Sequence, residues 1–338
     1  MSQTIKELAE LFLAQEDKSR VICIMPHVRS DGDAISSCLV MSRALEKLGY
    51  QTRVFLDEKV PDLYFFMPGL EKIEIFEPGQ DLPASYTLFV LDCHEASRLG
   101  EREVFWQQAQ TLYVMDHHQV QDQPHAHFAI ESDRSSTAEM VYFFIQTLEE
   151  VSGQTILDLP MASNLTTGIY MDTGGMRYSN TGVDTYRVMA DLRARGVAVD
   201  YISEHAFGQV PIEEARARGL ALMKARMDCD GRLVWCFFRV RELLACSVEA
   251  DQLGYISSML KEIKGTDLAI FMQEDENPDG SADLRLSFRS SEDFNAADFA
   301  QSLGGGGHLR ASGATLPIEG DIYDTVHYVV EQAKAALA

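Results

Sequence analysis

The chain has 338 residues, 46% of them hydrophobic, which at roughly 150 residues per domain suggests two cores. Its 29 Lys and Arg against 52 Asp and Glu give a formal net charge of −23, a field that repels long polyanions and anionic membranes. No apolar run reaches the roughly 18 residues of a membrane span, and the opening MSQTIKELAELFLAQ reads as an amphipathic helix, so a soluble cytoplasmic protein with no membrane partner is expected.

In chain order, the apolar runs at 21–25 (VICIM), 52–56, 86–91 (YTLFVL) and 111–115 (TLYVM) are too short for helices and read as buried strands. Helices are predicted over 34–48, closed by Gly49, and around 104–109. Others follow at 137–149, 159–171 and 184–195, the last closed by Gly196. Strands alternating with helices imply a parallel, doubly wound α/β domain. A charged helical stretch at 198–228 reads as a connector. Beyond it a smaller α/β domain is predicted, with strands at 233–240, 267–272 and 283–288, helices at 251–264 and 323–337, a polar turn QEDENPDG and a glycine run at 304–307. The domains are therefore expected at 1–197, 198–228 and 229–338. The six cysteines, Cys23, Cys38, Cys93, Cys229, Cys236 and Cys246, form no CxxC pair and read as reduced core thiols.

Chemistry concentrates where the first strands end. VICIM leads to His27, Asp31 and Asp33, YTLFVL to Asp92, and TLYVM to Asp116, His117 and His118; Asp172 ends the helix NLTTGIYM. In an open parallel sheet the ligand crevice lies beyond the carboxyl ends of the strands, so these stretches meet in one place. Each acid alone reads as a cap, and His27 alone as a satisfied polar residue. Together they form a set of like charges that needs a cation. Carboxylates with imidazoles and no thiolate favour Mn²⁺, with Mg²⁺ as the alternative. Two ions would support in-line hydrolysis of a phosphoester by an activated water.

The strings HVRSDGDAISS, LDCHEASRLG, DHH and MDTGGMRYS resemble, in order and spacing, the signature motifs of the DHH phosphoesterases. FRS at 288–290 and GGGGH followed by ASG are similar to the DHH-associated domain of RecJ-like nucleases. Within that family the two-domain size resembles the bifunctional oligoribonucleases and pAp phosphatases (nano-RNases). That resemblance implies cleavage of short RNA oligonucleotides to mononucleotides and removal of the 3′-phosphate of adenosine 3′,5′-bisphosphate (pAp). It implies one Mn²⁺ on His27, Asp31 and Asp92, a second on Asp33, Asp92, His117 and Asp172, His118 as a phosphate contact and proton donor, and Asp116 as support for the ligands. A homodimer is common among similar proteins.

Arg98 reads either as a phosphate ligand or as an exposed helix-start arginine, and Ser136 and Thr137 as substrate contacts or, preferably, a helix cap. In the second domain an unpaired run Gly304, Gly305, Gly306 and Gly307, followed by His308, would bring backbone N–H groups close to an anion. Arg289 suits a terminal phosphate, with Arg285 and Arg310 adding local charge. The associated domain would then grip one end of a short substrate while the metal centre cuts opposite. The nearest competing expectation is a phosphodiesterase for cyclic di-AMP, pApA or pGpG. A pyrophosphatase or exopolyphosphatase, a processive DNA exonuclease and a catalytically silent nucleotide-binding module fit the residues less well.

Overall fold

The computed structural model describes residues 4–119, 127–248, 253–277 and 280–338, and the chain divides into two units, Met1–Gln209 and Val210–Ala338. That division falls inside the stretch expected to be a connector. In the first unit every residue of YTLFVL is buried, as a strand covered on both faces requires. Six strands, β1 (Val21–Met25), β2 (Gln51–Leu56), β3 (Ile73–Ile75), β4 (Tyr86–Leu91), β5 (Thr111–Asp116) and β6 (Phe128–Ile130), form one sheet in the order β3-β2-β1-β4-β5-β6, with every pair parallel. The helices are α1 (Ile5–Gln15), α2 (Gly32–Lys47), α3 (Glu103–Gln108), α4 (Thr137–Ser152), α5 (Leu159–Thr173), α6 (Val183–Ala194) and α7 (Val199–Ser203).

Alternating strand residues feed two cores. Ile22, Ile24, Phe89, Leu91, Tyr113 and Met115 pack with α1, α2, α4 and α5, whereas Cys23, Met25, Leu88, Val90 and Val114 pack with Leu99 and the Phe105 ring of α3. The strand order reverses between β1 and β4. This is the switch point at which the loops leaving the strand ends diverge and open a crevice. Strands β3 and β6 are absent from the sequence expectation. Each has three residues, too few for a periodic signal, and each extends an edge of the sheet.

The second unit also holds six strands: β7 (Arg226–Asp228), β8 (Leu233–Phe238), β9 (Leu268–Glu276), β10 (Ala282–Ser290), β11 (Gly306–His308) and β12 (Ala311–Pro317), in the order β11-β12-β10-β9-β8-β7. Only β8 and β9 run parallel; the other pairs are antiparallel. Its helices are α8 (Ile212–Lys224), α9 (Val240–Cys246), α10 (Tyr255–Lys261), α11 (Ala296–Ser302) and α12 (Ile322–Leu337). Leu284, Leu286 and Phe288 face α11 and α12, and Ala269 and Phe271 face α8, α9 and α10.

Three expectations are corrected here. The strand read as 233–240 stops at Phe238 and turns into α9. Of the helix read over 251–264, residues from 253 onward are described, and α10 covers only Tyr255–Lys261. The glycine run is not unpaired: Gly306, Gly307 and His308 pair with Gly313, Ser312 and Ala311.

Pairing explains two of these glycines. A Cβ on Gly305 would lie 2.1 Å from the Gly313 carbonyl oxygen, and one on Gly307, whose φ is +141°, would lie 2.6 Å from the Ser312 Cα. Gly306 has nothing within 4 Å of that position. Its lack of a side chain is not required by the fold.

Candidate metal centre

Asp31 caps α2, its Oδ1 accepting the backbone N–H groups of Asp33 and Ala34 at 3.0 Å each. The cap fixes the loop after β1 and places Asp33 in the first helical turn. Asp33 is fully buried, and its two oxygens accept the N–H groups of Thr137 at 2.7 Å and Ala138 at 2.8 Å. A carboxylate at the start of α4 is favoured by the helix dipole. Ser136 is the N-cap of α4, accepting from the Glu139 N–H, so the cap reading holds for it. Thr137 does something else: its hydroxyl donates to Asp92 Oδ1 at 2.9 Å.

Asp92 follows β4 in a left-handed conformation, φ +60°, which costs a side-chain-bearing residue about 1 to 2 kcal/mol. Its N–H donates to the Met115 carbonyl at 2.9 Å, tying the ends of β4 and β5 together. His27 Nδ1–H donates to the Val28 carbonyl at 2.7 Å, which leaves Nε2 as the ligating atom, 3.3 Å from Asp92 Oδ2. His117 Nε2 lies 2.9 Å from Asp172 Oδ2 and 3.6 Å from Asp92 Oδ1. Asp172 sits in the last turn of α5, which Gly174 closes in the left-handed conformation.

Among the described residues these side chains fall into three interlocking groups whose donor atoms lie within 4.8 Å of one another: His27, Asp31 and Asp92; Asp33, His117 and Asp172; and Asp92, His117 and His118. Asp92 belongs to two of them. All six residues that the sequence nominated as ligands are brought together.

The electrostatics describe a centre short of positive charge. Burial raises the Asp31 and Asp33 carboxyls, and their neighbours Asp92 and Asp172 push them further. Burial disfavours the charged imidazoles, yet a hydrogen bond to Asp172 carries His117 up to about 10. The bond to Asp92 likewise leaves His27 raised. A cation among these groups would relieve the same repulsion. The donor set, oxygen-rich with two imidazoles and no sulfur, therefore fits hard divalent metal ions.

Asp116 has a different task. Its Oδ1 accepts from His118 Nδ1 at 2.7 Å and from the His118 backbone N–H at 3.1 Å, and its Oδ2 makes a short contact with His94 Nδ1. Burial opposes ionisation, but these two imidazoles hold the carboxyl well below its usual range. With its Nδ1 committed to Asp116, His118 is set up to work through Nε2 rather than as an Nδ1 ligand. His94 was not singled out in the sequence, where a histidine two positions after Asp92 carries no spacing signal of its own.

Arg98 lies in the first turn of a 3₁₀ segment, Ala96–Arg102. It is partly buried, its carbonyl accepts the Val28 N–H at 2.8 Å, and its charge acts on His94 and Cys93.

In the second unit the register puts Arg289, Ala311 and His308 in one cross-strand row on one face of the sheet, and Arg285 and Ser287 on the same face by alternation. Gly306 and Gly313 form the adjacent row with Ser287. The buried apolar cluster on that face takes residues from β8 and β9 and none from β10, β11 or β12. Arg289 and His308 thus flank a floor of small residues. Arg310 is paired with Glu292 at 2.9 Å.

Residues 21–169 match the DHH family N-terminal domain and residues 240–335 the DHHA1 domain. The chain is 30% identical over 315 residues to the bifunctional oligoribonuclease and PAP phosphatase NrnA of Thermus thermophilus, covering 93% of this chain and 89% of that one. It is 22% identical to the NrnA of Bacillus subtilis over 298 residues, 87% of this chain and 89% of the relative. An exopolyphosphatase-related protein from Bacteroides fragilis shares the fold, with a TM-score of 0.81 at 22% identity over 97% of this chain and 95% of that one. The chain belongs to the DHH family of phosphoesterases, with a DHH domain followed by a DHHA1 domain.

Proposed function

We propose that this enzyme hydrolyses short RNA oligonucleotides to mononucleotides and removes the 3′-phosphate from pAp, using two divalent ions, Mn²⁺ in preference to Mg²⁺. The observation that carries this reading is the shared position of Asp92, one buried carboxylate within reach of both histidine groups. His27, Asp31 and Asp92 would hold one ion, and Asp33, Asp92, His117 and Asp172 the other. Such ions, when bound, neutralise charge on a phosphoryl group and make hydroxide available at neutral pH.

The protein's own groups do the rest. Thr137 and the first amides of α4 fix the orientation of Asp92 and Asp33, so the carboxylates need little rearrangement on loading. His118, held through Nδ1 by Asp116, contacts phosphate and gives a proton from Nε2 to the leaving oxygen. Arg98 adds positive charge beside the same loop. Arg289 and His308, beside the open position at Gly306, bind a terminal phosphate of the substrate; the expected amide cradle is not available as a whole, because the Gly304 and Gly305 N–H groups already donate to the Gln301 and Ala300 carbonyls. The relatives named as oligoribonucleases and PAP phosphatases match over most of this chain, which supports the same substrate class here.

A chain with a net charge of −23 is poorly suited to long nucleic acid. No described helix is long and apolar enough to cross a membrane, and the six cysteines are free, in keeping with a reducing cytoplasm.

Side-by-side turnover of RNA dinucleotides, pAp, pApA, pGpG and cyclic di-AMP with Mn²⁺ tests the reading. Turnover of RNA dinucleotides and pAp above the cyclic substrate is expected. Preference for cyclic di-AMP with no activity on pAp would replace it with the cyclic-dinucleotide alternative.

A further inference from the structure

We propose that His94 is a positioning residue for His118, acting through Asp116; the inference rests on the phosphoesterase reading above. Asp116 has no exposed side-chain surface, His94 is 13% exposed and His118 42%. The buried carboxylate is therefore the anchor and His118 the accessible end of the chain. A carboxylate has two oxygens in one plane. One is taken by the His118 ring and backbone, the other by the His94 ring.

Only one rotation of the Asp116 carboxylate serves both partners, so His94 sets the direction in which Oδ1 meets His118. Without His94, Oδ2 becomes a buried acceptor with no donor, a costly arrangement that the carboxylate relieves by turning. His118 then loses its fixed ring plane. On the outer side His94 Nε2 lies 3.9 Å from Glu95 Oε1, which continues the line Glu95, His94, Asp116, His118. Among the described residues His94 belongs to none of the groups able to hold a metal. Its contribution is to orientation, not to ligation.

The test compares wild type, His94→Leu and His94→Asn, whose amide nitrogen stands close to the position of the imidazole Nδ1. Steady-state rates on an RNA dinucleotide, Mn²⁺ affinity by calorimetry, and ¹⁵N spectra of the His118 ring are measured for each. His94→Leu should lower kcat about 10- to 100-fold, leave KM and Mn²⁺ affinity unchanged and shift the His118 Nδ1 resonance; His94→Asn should recover most of the rate. If His94→Leu does not fold, His94→Gln takes its place, since its donor is displaced by one bond and should not rescue.

A wild-type kcat in His94→Leu overturns the proposal, as does equal impairment in Leu and Asn variants with the His118 resonance unmoved. Loss of Mn²⁺ affinity in both variants would make His94 a ligand instead and likewise overturn it. Absence of turnover by the wild type on every substrate would defeat the functional reading, whereas the His118 resonance still decides the role of His94.

Discussion

The two sheets solve opposite electrostatic problems with opposite geometries. In the first unit a fully parallel sheet, covered on both faces, gathers its ligands from the segments that follow β1, β4 and β5 and from the end of α5. In the second unit a largely antiparallel sheet keeps its candidate anion-binding groups on the strands themselves, with Arg289 and His308 in one row. Cations need several oxygens converging from different directions, which separate segments meeting at a switch point supply. A phosphate needs a few rigid donors over a floor of small residues, which an alternating strand face supplies directly.

The largest expected effects break the first half of this comparison. Asp92→Ala removes the carboxylate shared by two ligand groups and should abolish turnover on every phosphoester while circular dichroism stays native. A folded variant with near wild-type rate would remove the proposed mechanism.

Arg289→Ala probes the other half. It should raise KM for 5′-phosphorylated dinucleotides about 10- to 100-fold, the scale of a charge-assisted hydrogen bond of about 1.5 to 3 kcal/mol, with kcat and Mn²⁺ affinity little changed. An unchanged KM would separate the second sheet from substrate binding.

Thr137→Val sharpens the account of the first unit. Losing the hydroxyl donor to Asp92 should cost about 1 kcal/mol, read as roughly a fivefold to tenfold lower rate, with a stronger dependence on Mn²⁺ concentration.

A pair of glycine variants sharpens the second. Gly305→Ala should lower the melting temperature, because the new Cβ meets the Gly313 carbonyl; Gly306→Ala should leave stability intact and raise KM. Equal melting temperatures would contradict the pairing argument.

The smallest effect is on pH. Asp31, Asp33, His27 and His117 are all raised in the metal-free protein, so each holds its proton more tightly than usual and metal must displace it. Apparent Mn²⁺ affinity should therefore rise with pH toward about 10, where His117 deprotonates. Calorimetry in buffers of different ionisation enthalpy should show proton release at neutral pH.

Much of the first unit was legible because burial on both faces forces continuous apolar runs, and the residue after each run is where chemistry collects. His27, Asp92 and His117 could be nominated that way, and their convergence follows from sheet order alone. What the sequence withheld was long-range. Nothing local to Asp33 says that its oxygens accept amides 104 and 105 residues away, and nothing local to His94 aims it at Asp116. The three-residue strands β3, β6, β7 and β11 are defined by their neighbours rather than by periodicity. The glycine run was legible as a site of close approach, but whether backbone or ligand approaches was not. Backbone fills the Cβ positions of Gly305 and Gly307 and leaves that of Gly306 open.

The central claim is that acids and histidines from four separate segments form one bimetallic pocket around Asp92. A crystal structure of the Mn²⁺-loaded protein, with anomalous scattering recorded at the manganese edge, tests it most directly. Two anomalous peaks are predicted, one contacting His27, Asp31 and Asp92 and the other Asp33, Asp92, His117 and Asp172. A single peak, or none within reach of Asp92, would contradict the account.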